Sequence, residues 1–234
     1  MTRISACTIF ALAAFLNIAV TSAWAQPSVI ELMEQQKSSI VAIAAQKIDP
    51  SRPPLNNDPA QLPVLEQTGA GIIIDPAGYI VTNTHTILFA DYIFATLHDG
   101  TRLPATVMSV APNSDFSILK IDNPSPLKSL PWSNAPLTLG MDIISIENSP
   151  LWKKTICGGK ITGIANKLSE DRVAIFEMDL DLERGDSGGP VFDSKGNFLG
   201  VIIAKNTKVR RSGFAIPSTE IREYFLKLLK ESRP

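Results

Sequence analysis

From Ser39 onward, short runs of β-forming residues are cut by turn signals about every 8 to 12 residues, a rhythm that few architectures can accommodate. Ile72-Ile73-Ile74 runs into Asp75-Pro76-Ala77-Gly78, a turn with Pro second and Gly fourth, and Tyr79-Ile80-Val81 runs out. Asp99-Gly100 stands between Tyr92 to Leu97 and Leu103 to Val110 as a two-residue hairpin signal. Ser194 to Asn197 repeats the pattern between Val191-Phe192 and Phe198 to Ala204. This predicts an all-β sandwich or barrel rather than alternating βα units. The proline-bearing segment Asn123 to Asn134 divides the body into halves of about 90 residues, each sized for a small closed barrel. The boundaries expected are 26–125 for the first half and 126–217 for the second.

Helical periodicity is confined to the ends. Val29, Ile30 and Met33 recur at helical spacing ahead of the β-like Ser39 to Ala44. At the other end, 218–234 reads as a helix with Ser218 as N-cap after Pro217. There Ile221, Phe225, Leu228 and Leu229 share one face, and Lys227, Lys230 and Glu231 point away. Between Asp49 and Pro63, prolines, asparagines and aspartates crowd together, so neither a helix nor a ladder can continue, and a long exposed loop is expected (49–63).

The first 25 residues read as an export signal. Arg3 precedes a mostly apolar run from Ile9 to Val20, and Ala23 and Ala25 form an A-x-A pattern for cleavage after Ala25. The run is shorter than the ~20 residues that span a bilayer, so no stable membrane insertion is expected after cleavage. Cys7 lies before the apolar run, where it cannot become a lipidated first residue. The mature chain is therefore expected in a periplasm or outside the cell, with its lone Cys157 a small buried hydrophobe that cannot form an internal disulfide.

Composition excludes several function classes. With 22 Lys+Arg against 23 Asp+Glu the net charge is −1, so the basic field that carries nucleic-acid binding is missing. At 44% hydrophobic and 19% charged residues the chain is too apolar for disorder. Its 2 histidines and 2 cysteines match no zinc spacing, and neither a metal nor any other cofactor is expected.

The sharpest local feature is Arg184-Gly185-Asp186-Ser187-Gly188-Gly189-Pro190. Glycines around a Ser-centred turn let a backbone approach closely, and Gly185 and Ser187 can aim two N–H groups at one point, the parts of an oxyanion hole. The bland alternative is a Gly-rich surface turn. An α/β-hydrolase elbow needs a helix after the serine and a later histidine, and neither follows Ser187. A histidine base must then be His85 or His98. His98 sits at the Asp99-Gly100 turn, whereas His85 lies in Val81-Thr82-Asn83-Thr84-His85-Thr86, where an apolar strand ends at a rim. Asp115, polar before and apolar after, is the best carboxylate to orient an imidazole, with Asp91, Asp99 and Asp122 as alternatives in turn-like contexts. The chain order is His, Asp, Ser.

At these residues the chain resembles the trypsin-like serine proteases, and most closely their exported HtrA (Deg) branch. The resemblance rests on GAGIIIDPAGYIVTNTH around His85, NSDFSILKI around Asp115, ERGDSGGPVFDSKGNFLGVIIA around Ser187 and GFAIPS from Gly213, and it spans about residues 29 to 225. It implies two perpendicular six-stranded antiparallel β-barrels with the active site between them. It also implies Ser187 as nucleophile, His85 as base and acid, Asp115 as its orienting group, and the N–H groups of Gly185 and Ser187 as the oxyanion hole. The function implied is endopeptidase cleavage of unfolded or extended protein and peptide substrates. HtrA proteases usually carry PDZ domains after the protease, and none is expected in the few residues after Pro217. Asp186 stands where that branch commonly has Asn, and it is expected to pair internally, without an activating cut. The aromatic residues that help HtrA proteins form trimers are not found at Gln26 to Ile30, so the oligomeric state is left open.

Two readings of specificity compete. Asp181 lies where trypsin carries the acid of its primary pocket, which would select a basic residue, while the HtrA resemblance implies a smaller aliphatic pocket. Asp179 and Asp181 also alternate with Leu180 and Leu182, so both aspartates could face water. Backbone groups of Val201, Ile202, Ile203 and Ala204 are expected to pair with an extended substrate. Lys205, Lys208, Arg210 and Arg211 crowd one loop and could border the cleft or neutralise Asp181. The rival functions are a catalytically silent protease fold that binds extended chains and another Ser-acyl enzyme such as an esterase.

Overall fold

The computed structural model describes residues 29–49, 51–52, 63–146, 156–165, 174–183, 185–205, 209 and 211–232. The expected signal segment and residues 50 and 53–62 of the Pro-rich loop lie outside them. Helix α1 (Val29–Gln36) and one 3-10 turn (Lys37–Ser39) lead into β1 (Ile40–Ile48). Next come β2 (Val64–Asp75), β3 (Tyr79–Thr82), the single turn α2 (Thr84–Ile87), β4 (Tyr92–Thr96), β5 (Arg102–Val110) and β6 (Ser117–Ile121). After a connection come β7 (Asp142–Ile146), β8 (Ile156–Ala165), β9 (Ile175–Met178), β10 (Pro190–Asp193), β11 (Phe198–Lys205), β12 (Gly213–Pro217) and α3 (Ser218–Glu231).

These strands close into two antiparallel six-stranded barrels, ordered β1-β2-β3-β6-β5-β4 and β7-β8-β9-β12-β11-β10. The first closes through β4 on β1 and the second through β10 on β7. The connectivity is the same in both, and closure removes the exposed sheet edges that invite aggregation. The base of the Pro-rich loop is tied by the Asp49 N–H donating to the Pro63 carbonyl at 2.9 Å.

Three apolar clusters hold this arrangement. Val41, Ile43, Ile73, Ile80, Leu119 and Ile121 fill the first barrel, and Ile143, Ile161, Phe176, Met178, Leu199 and Ile202 fill the second. The third lies between them, where Ile72, Ile74, Val81 and Ile118 from the outer face of the first barrel meet Phe192, Phe198, Val201 and Ile216 of the second. The consecutive isoleucines at 72–74 follow directly from this. Side chains alternate across a strand, so Ile73 enters the barrel while Ile72 and Ile74 enter the seam, and a strand buried on both faces needs apolar residues at every position.

Helix α3 closes the seam. Ile221 and Phe225 are buried in the inter-barrel cluster, and Leu228 and Leu229 pack against it. The Phe225 ring meets Tyr79 edge-on at 5.1 Å between centroids and Tyr224 meets Phe116 at 5.2 Å, while the Tyr224 hydroxyl donates to the Val110 carbonyl at 3.0 Å. Ser218 is not the N-cap. Pro217, still paired with Gly200 in the sheet, takes that position without a side-chain cap, and Ser218 is already helical and buried.

The two hairpins marked by glycine are also longer than a two-residue turn. Leu97 N–H donates to the Thr101 carbonyl, leaving His98, Asp99 and Gly100 as the loop, and Asp193 N–H donates to the Asn197 carbonyl around Ser194, Lys195 and Gly196. Gly100 and Gly196 sit at φ +89° and +80°, the left-handed position that ends a three-residue hairpin loop. Asp99 and Asp193 each accept a backbone N–H across the loop at 2.9 Å. Both loops join the fourth and fifth strands of their barrels, so one local solution serves twice.

Phe225→Ala removes the ring that bridges the barrels, and we expect a loss of about 3–5 kcal/mol of stability, read as a lower urea midpoint at unchanged slope.

Candidate active site

The segment carrying Ser187 is held from both sides. Ser187 accepts a hydrogen bond at its carbonyl from Ala70 N–H of β2 at 2.8 Å. On the other side Gly188 N–H donates to the Ile202 carbonyl and Ile202 N–H donates to the Gly189 carbonyl, both at 2.9 Å. Gly188 has φ +86°, and a Cβ there would stand 2.0 Å from the Ala70 carbonyl oxygen, so only glycine lets the segment lie this close to β2. Asp186 is buried and accepts the Glu183 N–H at 2.6 Å, the internal pairing expected for it.

His85 stands in α2, at the end of β3. Its Nδ1 lies 2.6 Å from Asp115 Oδ2, and its backbone N–H donates to Oδ1 of the same carboxylate at 3.0 Å. A carboxylate can only accept, so Nδ1 carries the proton and Nε2 is left as an acceptor facing away from Asp115. Asp115 is fixed in turn by the buried Asn83, whose amide donates to the Asp115 carbonyl at 2.8 Å, and Thr84 and Ser117 hydroxyls meet at 2.9 Å behind it. Gln67 donates to the His85 carbonyl at 3.1 Å. The hydrogen bond that His85 donates to Asp115 raises the His85 pKa above the ordinary histidine value, against the opposing effect of burial, and the Asp115 charge adds to the rise. The alternative carboxylates are engaged elsewhere. Asp91 accepts the Ile48 N–H, Asp99 caps its hairpin, and Asp122 pairs with Lys120.

His85, Asp115, Gly185 and Ser187 line one cleft of about 800 Å³, together with Glu66, Gln67, Thr68, Glu183, Ile203, Ala204 and Lys205. The Ser187 hydroxyl donates to the Ile203 carbonyl at 3.1 Å. Sequence reasoning had no signal for Gln67 or Glu66, which lie in an otherwise featureless exposed stretch of β2, whereas Asn83 belongs to the polar run that marked His85.

Of the residues expected to meet substrate, Ile203 and Ala204 line the cleft. Val201 and Ile202 do not, because their side chains are buried and Ile202 already spends both backbone groups on Gly188 and Gly189. Val201 is paired with Pro190 on one side and Ile216 on the other. Asp181 is not brought to the cleft either. Leu180 and Leu182 enter the second barrel, which turns Asp181 outward, and its carbonyl accepts from the Cys157 thiol at 3.4 Å. Cys157 itself is only partly buried. Arg211 pairs with Asp179 at 2.8 Å and also feels the Asp181 charge, and Lys205 lies at the cleft 3.9 Å from Glu183. Lys208 and Arg210 lie outside the described residues.

The His85 shift has a definite sign. Folded His85 binds its proton more tightly than unfolded His85, so the stabilisation is complete below the unfolded value of about 6.5 and is lost as pH rises through the higher folded value. Titration of the His85 ring by NMR is expected to give a midpoint above that of an unfolded-peptide histidine, and Asp115→Asn should return it toward the ordinary range.

Comparison with known proteins agrees with this architecture. The model of the trypsin-like peptidase domain family matches residues 69–201. A probable periplasmic serine endoprotease, DegP-like, of Chlamydia pneumoniae is 32% identical over 173 residues, covering 70% of this chain and 35% of the relative. Another of the same description from Pseudomonas fluorescens is 29% identical over 248 residues, covering 90% of this chain and 51% of the relative. The chain thus spans between a third and about half of the length of these curated relatives. Among solved structures, the HtrA-type protease AlgW with a decapeptide superposes with a TM-score of 0.72 at 25% identity, covering 88% of this chain and 68% of that one. With the matched segment running from the β2 glycines through Ser187 into β11, the chain belongs to the trypsin-like peptidase domain family, in its HtrA branch.

Proposed function

We propose that this protein is an exported serine endopeptidase that cleaves extended segments of protein substrates through His85, Asp115 and Ser187. The observation that carries the reading is the 2.6 Å His85–Asp115 pair in a cleft that Ser187 also lines.

The strand registers supply a track for the substrate. Ala70 turns its N–H toward Ser187 and its carbonyl toward the Thr82 hydroxyl, away from β1. By the two-residue alternation, Thr68 and Glu66 turn their backbone groups the same way, and among the described residues no strand pairs with that edge between Val64 and Gly69. On the opposite wall, the Ile203 carbonyl faces the cleft at a bulge in β11. An extended peptide can lay its acyl-side N–H on the Ile203 carbonyl and its leaving side along Thr68 and Glu66.

Substrate binding then prepares the nucleophile. The substrate N–H takes the Ile203 carbonyl, and the displaced Ser187 hydroxyl turns to His85 Nε2. His85 accepts its proton as Oγ bonds to the scissile carbonyl carbon, and Asp115 stabilises the imidazolium. The N–H groups of Gly185 and Ser187 hold the oxyanion, a donor pair in which each member is worth about 3 kcal/mol in related chemistry. Collapse breaks the C–N bond, His85 Nε2–H protonates the leaving amine, and a water activated by the freed imidazole hydrolyses the acyl-enzyme. The A-x-A pattern ending at Ala25 supports export, and no helix among the described residues is long and apolar enough to cross a membrane.

A fluorophosphonate probe should label the protein and fail on Ser187→Ala, and casein digestion by the labelled-competent form separates protease from esterase. Absence of Ser187-dependent labelling would favour the silent binding module. Asp115→Asn is expected to lower kcat by about 10⁴-fold. Because the base must be neutral, the acid limb of kcat/KM should lie above the ordinary histidine value and move to lower pH in Asp115→Asn.

A further inference from the structure

Beyond the lip of the cleft on the first barrel lies an apolar patch that the chemistry above leaves unused. Phe89 lies two residues past the end of α2, is 74% exposed, and has φ +63°, a backbone conformation that a bulky residue rarely adopts. Such outliers collect at ligand-contacting segments, because the surrounding structure must hold them in place. Leu65, on β2, is 52% exposed, and Lys47, its cross-strand partner on β1, holds its ammonium 5.4 Å from the centre of the Phe89 ring. By strand alternation Leu65 shares a face with Gln67, and Gln67 donates to the His85 carbonyl. Leu65 therefore extends the wall that Gln67 gives to the cleft, and Lys47 links Phe89 to Leu65.

We propose that Phe89 and Leu65 form the subsite for a large apolar side chain on the leaving-group side of the scissile bond. The proposal rests on the protease reading, which also sets the polarity of the track. The Ile203 carbonyl, within hydrogen-bond reach of Ser187, takes the acyl-side N–H, so the departing segment runs to the opposite wall. His85 must hand its proton to the leaving amine, which puts that amine beside α2 and the residues that follow it. A chain continuing along the free edge of Thr68 and Glu66 reaches Leu65 next, with Phe89 beside it. Lys47, stacked on the ring, further disfavours a basic side chain there.

The test uses quenched-fluorescent peptides with one acyl-side sequence, in which Phe, Leu, Ala or Lys is placed at each of the first three positions after the cut. The wild type should favour Phe or Leu over Ala at one position by about tenfold in kcat/KM, with Lys poorest. Phe89→Ala and Leu65→Ala should each bring that ratio toward one, and Phe89→Tyr should keep it. Binding of the same peptides to Ser187→Ala protein, read by fluorescence anisotropy, should give the same ranking. Equal rates and equal binding across the series, or a ratio untouched in both alanine variants, overturns the subsite. Ranked binding without cleavage of any peptide by wild type would uphold an apolar subsite at Phe89 and Leu65 and overturn the hydrolytic reading, and with it the leaving-group assignment.

Discussion

Three backbone hydrogen bonds around Ser187 join the halves of this molecule at its centre. Ala70 of the first barrel holds the Ser187 carbonyl, while Gly188 and Gly189 are laced to Ile202 of the second. The nucleophile candidate thus belongs to neither barrel alone, and its position is set by how the two pack. That packing is in turn the work of the inter-barrel cluster, from Ile72 and Ile74 through Val201 and Ile216 to Phe225. Backbone contacts of this kind tolerate no side chain at Gly188, and only thin ones nearby: a Cβ at Gly69 would come 2.8 Å from Thr86 and 3.1 Å from the Ser187 carbonyl.

The imidazole is placed by a different logic. A strand end gives way to one helical turn, so the His85 N–H and ring Nδ1 can both meet one carboxylate, and Asn83 anchors that carboxylate's own backbone. With the side chains of His85 and Asp115 42% and 28% exposed, water screens their attraction, and geometry more than Coulomb energy is what the pair supplies. The resting hydrogen bond of Ser187 to Ile203 fits this economy of parts, since the same carbonyl that parks the hydroxyl is the one an extended chain would claim.

Much of this was legible in the residues. Turn chemistry located the hairpins, although glycine alone did not reveal that Gly100 and Gly196 each end a three-residue loop; that depends on which N–H pairs across the strands. The apolar run at Ile72-Ile73-Ile74 marked a strand entering a turn, and the order His, Asp, Ser narrowed the candidates that now line one cleft. Of the two readings of Asp181, its offset from Ser187 pointed to a pocket and its alternation with Leu180 and Leu182 pointed to water, and the two leucines do win the interior. Val201 and Ile202 lie outside the cleft lining because a strand's free edge is a property of its neighbours. The neighbours here are β10, β12 and the Ser187 segment.

Local chemistry by itself determined the strands, the turns, the end helices and the short list of reactive side chains, because periodicity, proline and glycine act over a few residues. Tertiary structure alone decided which edges stay open, which carboxylate reaches His85, and that Lys47 brings its ammonium over the Phe89 ring. Those outcomes depend on barrel closure and on the seam between barrels, where residues far apart in the chain compete for the same buried space.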